Sequence, residues 1–186
     1  APNPVLSQSA KPVTVRYLAK RISNVNANIL KLIEEMSTAL LSAKDPVGVG
    51  LAAPQVGRSL QIFIAKPTRK SPIQVFINPQ ITTNEKQLST NPKSEVSSKK
   101  SEATKLEGCL SLPNVWGGVK REPEITVSYL DEKGNLRTRK FTGFMATIVQ
   151  HEMDHLQGIL FPKRVLEQKG ILYKSHKNEK NEDEFE

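Results

Sequence analysis

The segment His151-Glu152-Met153-Asp154-His155 constrains this chain most, because it places two imidazoles four residues apart with a carboxylate beside them. Residues i and i+4 share one face of an α-helix, so a helix would let both rings reach one cation. The flanking residues favour that helix: Phe144 and Ile148 extend the stripe, Thr142 can cap its start, and Gly158 stands where it could end. The segment predicts a metal-bearing helix, although two buried histidines on an ordinary amphipathic helix would share the spacing.

A third protein ligand must complete such a site, because two histidines alone do not hold a catalytic metal. A glutamate from a later helix would be typical of thermolysin-like proteases, but Glu167 comes only twelve residues after His155 and the other acidic candidates lie in the C-terminal tail. A histidine three residues after Gly158 would be typical of metzincins, and Phe161 occupies that position. The remaining candidate is Cys109, the only cysteine of the chain, whose thiolate could complete the set.

Three separated motifs carry a family resemblance. They are Gly48-Val49-Gly50-Leu51-Ala52-Ala53-Pro54-Gln55, Glu107-Gly108-Cys109-Leu110-Ser111 and the histidine segment described above. In these motifs and in their order the chain resembles the peptide deformylases, over about residues 29–165. The resemblance implies a metal-dependent hydrolase that removes the N-formyl group from formyl-methionine at the N-terminus of newly made polypeptides and releases formate.

The residue types predict amide hydrolysis. Two imidazoles and a thiolate leave one position of a four-coordinate ion open for water, whose pKa the metal lowers. Glu152 can accept the proton of that water and pass it to the leaving amine. The resemblance adds two donors for the carbonyl oxygen, the side-chain amide of Gln55 and the backbone N–H of Leu110. An HExxH zinc endopeptidase is the alternative, and it would not need Cys109 as a ligand.

Four residues are candidates for the substrate pocket. Gly50 lacks a Cβ atom and could let the backbone approach a substrate strand closely, and an ordinary turn glycine is the alternative. Val49, Phe144 and Ile148 could wall a pocket for the methionine side chain, or they could belong to the core. Trp116 corresponds to a variable position at the pocket rim in the family.

Glu107 and Arg121 resemble a supporting pair, in which the carboxylate fixes the loop that carries Cys109. An ordinary surface ion pair is the alternative. The identity of the metal depends on the argument used: a cysteine and two histidines favour zinc, whereas the resemblance implies Fe²⁺, with Zn²⁺, Ni²⁺ or Co²⁺ able to substitute. An iron site with a thiolate ligand should be oxygen-sensitive.

The order of elements predicts an α+β fold, with mixed and antiparallel strands packed around a central metal-ligand helix. Apolar residues at helical spacing predict a first helix over about residues 24–43, and short apolar runs predict strands over residues 61–65 and 73–77. A hairpin is predicted from residues 125–130 and 136–140 around the turn 131–135.

The predicted domain organisation is a flexible N-terminal segment (1–23), one catalytic domain (24–172) and a charged C-terminal tail (173–186) in which His176 is solvated. Within the domain, residues 82–105 are rich in Ser, Thr, Lys and Asn and can bury little apolar surface. We expect that insertion to be a mobile surface loop, or else a lid or partner-docking loop.

Composition limits the partners of this chain. Its 186 residues suit one domain, no apolar run is long enough for a membrane span, and a single cysteine fits a reducing compartment. The net charge of +8 suggests an anionic neighbour. Dispersed charge and few aromatics argue against DNA or a dedicated nucleic-acid module, so a transient ribosome contact by a basic helix over residues 163–174 is expected instead. The location would be the bacterial cytoplasm, or a plastid or mitochondrion as a mature form.

Overall fold

A computed structural model describes residues 3–14, 17–18, 21–22, 27–44, 46–82, 104–177 and 183–186. Within these residues the α-helices are α1 (Ala27–Ser42), α2 (Gly143–Leu156) and α3 (Phe161–Glu167), and short 3-10 helices cover Pro4–Ser7 and Ala53–Val56. The strands are β1 (Tyr17–Leu18), β2 (Arg21–Ile22), β3 (Gly50–Ala52), β4 (Ile62–Ala65), β5 (Gln74–Ile81), β6 (Lys105–Cys109), β7 (Leu112–Val119), β8 (Glu124–Leu130), β9 (Leu136–Thr142), β10 (Leu172–Lys177) and β11 (Asp183–Phe185). None of these helices is long and apolar enough to cross a membrane.

Two antiparallel sheets form the frame. One has five strands in the order β3-β4-β5-β8-β9, and the other has four in the order β11-β10-β7-β6, while β1 and β2 pair separately. The predicted α+β class, the two strands and the hairpin are confirmed. The predicted first helix is confirmed over Ala27–Ser42, and residues 24–26 lie outside the described residues.

The five-stranded sheet is buried on both faces at β4, whereas most residues of its edge strand β9 are exposed. Alternate residues of β4 point to opposite sides, so Phe63 packs with the core of α2 while Ile62 and Ile64 pack with the core of α1. Phe76 on β5 stacks on Phe63 with ring centroids 4.4 Å apart. The covered central part of the sheet therefore supports α2 at one of its faces.

The hairpin turn between β8 and β9 is organised by Asp131. Its carboxylate accepts hydrogen bonds from the backbone N–H groups of Lys133 and Asn135 and from the side chains of Asn135 and Arg137. Burial would raise the pKa of Asp131, but the hydrogen bonds from Asn135, Arg137 and Lys133 outweigh it and lower that pKa. The charged carboxylate therefore stabilises the turn.

The N-terminal residues differ from the flexible segment expected for residues 1–23, because residues 3–14 are packed. Leu6, Ala10 and Val13 are buried. The backbone N–H of Ala10 donates to the Leu156 carbonyl at the end of α2, and the Asn78 side chain bonds the backbone of Val13 in both directions at 2.8 Å. Backbone hydrogen bonds hold this segment although its sequence is poor in large apolar residues.

The C-terminal residues also differ from the prediction. The expected basic helix over residues 163–174 ends at Glu167, and β10 then pairs with β7, which adds a strand where a solvated tail was expected. Ser175 on β10 is buried, while His176 is exposed. Of the expected insertion loop 82–105, residues 83–103 lie outside the described residues.

Candidate metal centre and active site

The candidate metal ligands come from α2 and from the end of β6. His151 and His155 lie one turn apart on α2, and the Nε2 atom of His155 is 3.2 Å from the Sγ atom of Cys109. One ligand atom from each of the three residues lies within 4.8 Å of the others. The structure therefore brings together the three predicted ligands, and they could hold one metal ion.

A register shift delivers Cys109 to this place. Strands β6 and β7 pair regularly up to Gly108 opposite Trp116, and then Cys109 pairs with Leu112 across a shift. The shift closes the hairpin tightly through Leu110 and aims the Cys109 side chain inward, where only 6% of the residue is exposed. A buried thiol beside two imidazoles is suited to ligation rather than to disulfide formation.

Glu107 orients the first histidine ligand. Its Oε2 atom is 2.9 Å from Nδ1 of His151, which leaves the other ring nitrogen for a metal. Two parallel bonds of 2.8 and 2.9 Å join the same carboxylate to the Arg121 guanidinium. The predicted Glu107–Arg121 pair is thus present, and both side chains are buried, so it is not an ordinary surface ion pair.

Asp154 extends this network, and the sequence reasoning missed it. It binds Nη1 of Arg121 at 2.6 Å and Nη2 of Arg164 on α3 at 2.7 Å. The signal was available, because Asp154 lies three residues after His151 within the same helical motif. A carboxylate at that spacing on a buried helix requires a cationic partner.

Glu152 is buried beside the ligands with 3% of its surface exposed. Its Oε2 atom has no hydrogen-bond partner within the described part of the chain, and its side chain lies against Gly50 of β3, where an added Cβ atom would collide with it. Burial raises the pKa of Glu152 to about 7, with the charge of His151 opposing the rise and that of Glu107 adding to it. A carboxyl group with this pKa can both accept and release a proton near neutral pH.

The two histidines differ in their electrostatic surroundings. Burial and the neighbouring His151 lower the pKa of His155 to about 3. Burial would also lower the pKa of His151, but contacts with Cys109 and Glu107 outweigh it and raise that pKa to about 10. Metal ions bind neutral imidazole, so binding at His151 is coupled to loss of its proton.

Gln55 lies beside the thiol, as the predicted carbonyl-oxygen donor should. Its Nε2 atom is 3.5 Å from Sγ of Cys109 and 3.1 Å from Oγ of Ser111, and its Oε1 atom accepts the backbone N–H of Ala52 at 2.7 Å. The bond to Ala52 fixes the amide so that its N–H groups face the site. Ser111 is a second neighbour that sequence reasoning missed, although it belongs to the same motif.

A cavity of about 230 Å³ opens beside this centre. Its walls include all four predicted pocket residues, Val49, Gly50, Phe144 and Ile148. They also include the catalytic and ligand candidates Gln55, Cys109, Leu110, His151 and Glu152. Ile148 is buried, whereas Phe144 is 53% exposed at the rim. Apolar walls beside a polar centre are typical of a pocket for an apolar side chain.

Three features together define the class of this protein. They are an antiparallel α+β frame, a helix with two histidines flanking a buried glutamate, and a cysteine as third candidate ligand. The class is that of the metallohydrolases with a mixed imidazole and thiolate ligand set.

Comparison with known proteins narrows that class. The sequence model of the polypeptide deformylase family matches residues 1–170. The chain is 40% identical to the peptide deformylase of Synechocystis sp. over 154 residues, which are 81% of this chain and 73% of that protein. The chain belongs to the polypeptide deformylase family.

Solved structures agree with this assignment. The crystal structure of peptide deformylase from Thermotoga maritima has a TM-score of 0.65 at 33% identity and covers 87% of this chain and 91% of that chain. The structure of a peptide deformylase from Synechococcus elongatus in complex with actinonin has a TM-score of 0.66 at 34% identity. The match covers 87% of this chain and 74% of that chain. The protein is thus an enzyme that removes the N-formyl group from newly made polypeptides, and the endopeptidase alternative is not favoured.

Proposed function

We propose that deformylation is carried by Glu152 as general base and by Cys109, His151 and His155 as metal ligands. The observation that carries this proposal is the position of Glu152, which is buried and lines one cavity with Cys109 and His151. Its Oε2 atom has no hydrogen-bond partner among the residues that the structure describes. A carboxylate in that state has a strong tendency to take a proton from a water molecule in the site.

A metal held by the three ligands supplies a Lewis acid and lowers the pKa of water in the site. Glu152 takes a proton from the water whose oxygen adds to the formyl carbon. The amide of Gln55 and the backbone N–H of Leu110 donate to the negative charge that grows on the formyl oxygen. Glu152 then delivers its proton to the methionine nitrogen as the carbon–nitrogen bond breaks, which yields formate and a free amine.

We propose Fe²⁺ as the working metal, with Zn²⁺, Ni²⁺ or Co²⁺ able to substitute. The supporting observation is the donor set, one thiolate and two imidazoles, which suits all of these ions. Glu107 and Arg121 act in support, since the carboxylate holds His151 in one orientation. Metal analysis of protein purified without oxygen, compared with protein purified in air, tests the iron assignment.

The methionine side chain is proposed to enter the cavity beside the ligands. Val49, Phe144 and Ile148 provide apolar contact, and Gly50 leaves space for the substrate backbone. Actinonin is bound by the related Synechococcus elongatus enzyme, and we propose that it binds this cavity too. Competition between actinonin and formyl-methionyl peptides would test the location.

Glu152→Gln tests the general base directly. The variant should keep the metal and lose formate release from formyl-Met-Ala-Ser by at least about 10²-fold, because positioned proton transfer contributes on the order of 10²–10⁴-fold. A metal-replete variant that keeps more than about a tenth of the wild-type rate would contradict the assignment.

Cys109→Ser tests the ligand set. Serine is a poor replacement for a soft thiolate, so the variant should lose metal or bind it weakly. The charge-transfer absorption of a Co²⁺-loaded sample provides a second readout. Unchanged metal content together with an unchanged Co²⁺ spectrum would show that the sulfur is not a ligand.

We further propose a transient ribosome contact, in a bacterial cytoplasm or in an organelle. Lys163, Lys169 and Lys174 are exposed near the C-terminus, whereas Arg164 binds Asp154 and supports the fold. A variant with these three lysines changed to Gln should cosediment less with ribosomes, and raising the salt concentration should weaken wild-type binding. Binding insensitive to both changes would exclude the contact.

A further inference from the structure

A second cavity, of about 560 Å³, lies between the end of α1 and the loop that joins β4 to β5, and we name it the α1 cavity. Leu40, Leu41 and Lys44 line it from the side of α1, and Lys66 and Arg69 line it from the loop. Its volume is within the range of small-molecule sites. None of the residues proposed to bind the metal or to act on the formyl group lines it, so the α1 cavity is separate from the metal centre.

Residues 47–49 form a wall that the α1 cavity shares with the cavity proposed for the methionine side chain, which we name the methionine cavity. Neighbouring elements fix the backbone of this wall. The N–H of Lys66 donates to the Val49 carbonyl at 2.8 Å. A Cβ atom on Gly48 would lie 2.7 Å from the Leu40 side chain, so the absence of that atom allows the wall to pack closely on α1. The α1 cavity is therefore formed by backbone contacts before any ligand binds.

The charged residues that line the α1 cavity are all cationic, namely Lys44, Lys66 and Arg69. Lys66 is half-buried, and its ammonium donates to the backbone carbonyls of Arg69 at 2.7 Å and of Ser71 at 2.5 Å. These neutral acceptors hold the ammonium in place without compensating its charge. Within the described part of the chain, none of the three cations forms an ion pair. Uncompensated positive charge beside a cavity attracts an anion.

The rest of the lining is mostly apolar, and part of it is in contact with water. Leu41 is 59% exposed and Val47 is 44% exposed, although both line a concave site. An apolar group that covers these side chains is favoured because it removes their surface from water. A bare inorganic anion would satisfy only the cations, and an uncharged apolar molecule would satisfy only the two aliphatic side chains. The lining therefore suits a molecule that has both properties.

We propose that the α1 cavity binds an amphipathic anion, that is, a carboxylate or phosphate group attached to an apolar chain. The anionic group contacts Lys44 and Arg69, and the chain covers Leu41 and Val47. Because residues 47–49 also line the methionine cavity, occupancy of either cavity changes the affinity of the other by the same factor. This coupling rests on the proposed function of the methionine cavity, whereas the binding of the anion does not.

Amide chemical shifts measured during titrations test the site. The probes are octanoate and octyl phosphate, and their comparison shows which anionic group is preferred. The protein is first saturated with actinonin, so that the probe cannot enter the methionine cavity. Octanoate should shift the amides of residues 47–49 and 66–69. Octylammonium, which inverts the charge, and acetate, which lacks the chain, should bind at least about ten-fold more weakly.

Variants of the lining locate the bound probe. Lys44→Gln combined with Arg69→Gln should weaken octanoate binding about five-fold, because two exposed ion pairs are lost. Leu41→Gln should weaken it by about the same factor through loss of apolar contact. The matched control is Lys31→Gln combined with Lys133→Gln, which removes two exposed charges outside the cavity and should leave octanoate binding unchanged. All of these variants should release formate at the wild-type rate when no probe is present.

The coupling is measured as the dissociation constant of actinonin with and without saturating octanoate. We expect a change of about five-fold, the lower end of the usual range for coupled sites. Direct competition for the methionine cavity would also change this constant, but it would persist in the Lys44→Gln/Arg69→Gln protein. Coupling through the α1 cavity should be lost in that protein.

Each contrary result has a definite meaning. Octanoate binding that is unaffected by Lys44→Gln/Arg69→Gln, or that octylammonium matches, would overturn the site. Inorganic phosphate that binds as tightly as octyl phosphate would refute the role of the apolar chain. An actinonin affinity that octanoate leaves unchanged would overturn the coupling alone. Failure of the wild-type protein to bind actinonin would instead contradict the proposed methionine cavity, and titration of octanoate without actinonin would still decide whether the α1 cavity binds an anion.

Discussion

Gly50→Ala should disable the enzyme by moving Glu152. Gly50 lies on β3 against the Glu152 side chain, and an added Cβ atom would come within 2.8 Å of Cδ and 3.0 Å of Cγ of that residue. Carbon atoms in contact are normally about 3.5–4.0 Å apart. The carboxylate must therefore move by roughly half to one ångström.

The magnitude follows from the cost of displacement. Misplacing a reacting group by about 1 Å costs on the order of 10²-fold in rate, which corresponds to about 2.7 kcal/mol of barrier. We expect kcat for formate release to fall about 100-fold. Metal content should be unchanged, because Glu152 is proposed as a base and not as a ligand.

The assay must separate displacement of the base from obstruction of the substrate. A displaced Glu152 lowers kcat, whereas a methyl group that only blocks peptide binding raises KM. The matched control is Gly118→Ala on β7, where the added Cβ atom would meet the exposed Thr104 side chain. A Gly50→Ala protein with full metal content and more than about a third of the wild-type kcat would refute the reasoning.

The remaining predictions concern the support of His151, the hairpin turn and the end of α2. Glu107→Gln should weaken metal affinity about 10–100-fold, measured by competition with a chelator. Asp131→Asn should lower the free energy of unfolding by about 1 kcal/mol at pH 7. The pKa of Asp131 is lowered in the folded protein. The stability that Asp131 contributes is therefore present above its unfolded-state pKa and is lost as pH falls through its folded-state pKa. Denaturant titrations should show that the difference in stability between wild type and variant disappears at low pH. Gly158→Ala should destabilise by more than about 2 kcal/mol in thermal unfolding, because Gly158 has φ +71° and an added Cβ atom would meet the backbone of Gln8 at 2.8 Å or less.

Much of the candidate site could be predicted because the spacing of its residues matches the period of a regular element of secondary structure. The spacing of His151 and His155 works only on a helix, and α2 begins one residue after the predicted cap Thr142, although the Thr142 side chain makes no cap bond. Cys109 was found by its chemistry, since a lone thiol in a chain with two helical imidazoles completes a ligand set. Short apolar runs predicted β4 and β5, because a strand buried on both faces has a continuous apolar sequence. The hairpin predicted β8 and β9, and β3 was not predicted.

The terminal segments could not be predicted, since backbone hydrogen bonds hold them and these leave no side-chain pattern. Residues 3–14 contain few large apolar residues, yet the N–H of Lys11 bonds the Ser59 carbonyl and the N–H of Gln61 bonds the Lys11 carbonyl. Strand β10 has a polar sequence that reads as a solvated tail. Its pairing with β7 depends on a neighbouring edge that the local sequence cannot reveal.

Only half of the buried charge network behind the ligands was predicted from the sequence, and the reason differs from that for the terminal segments. Glu107 and Arg121 were predicted from the resemblance, but Asp154 and Arg164 also belong to the network. Their contacts join α2 to α3 and to the link between β7 and β8, so they depend on tertiary structure. Charged side chains have no periodic signature of burial. An acid within a buried helix nevertheless demands a partner, and Asp154 has two.

The charges around α2 explain why these ligands suit a divalent ion. The buried carboxylates of Glu107 and Asp154 face two guanidinium groups, those of Arg121 and Arg164, so these four charges balance among themselves. The Glu152 carboxylate has no such partner among the described residues, and a ligating Cys109 is a thiolate. Together they carry two negative charges in a space with little water, and an ion of charge +2 would compensate both. The same ion would favour the charged form of Glu152 and thereby prepare it to accept a proton.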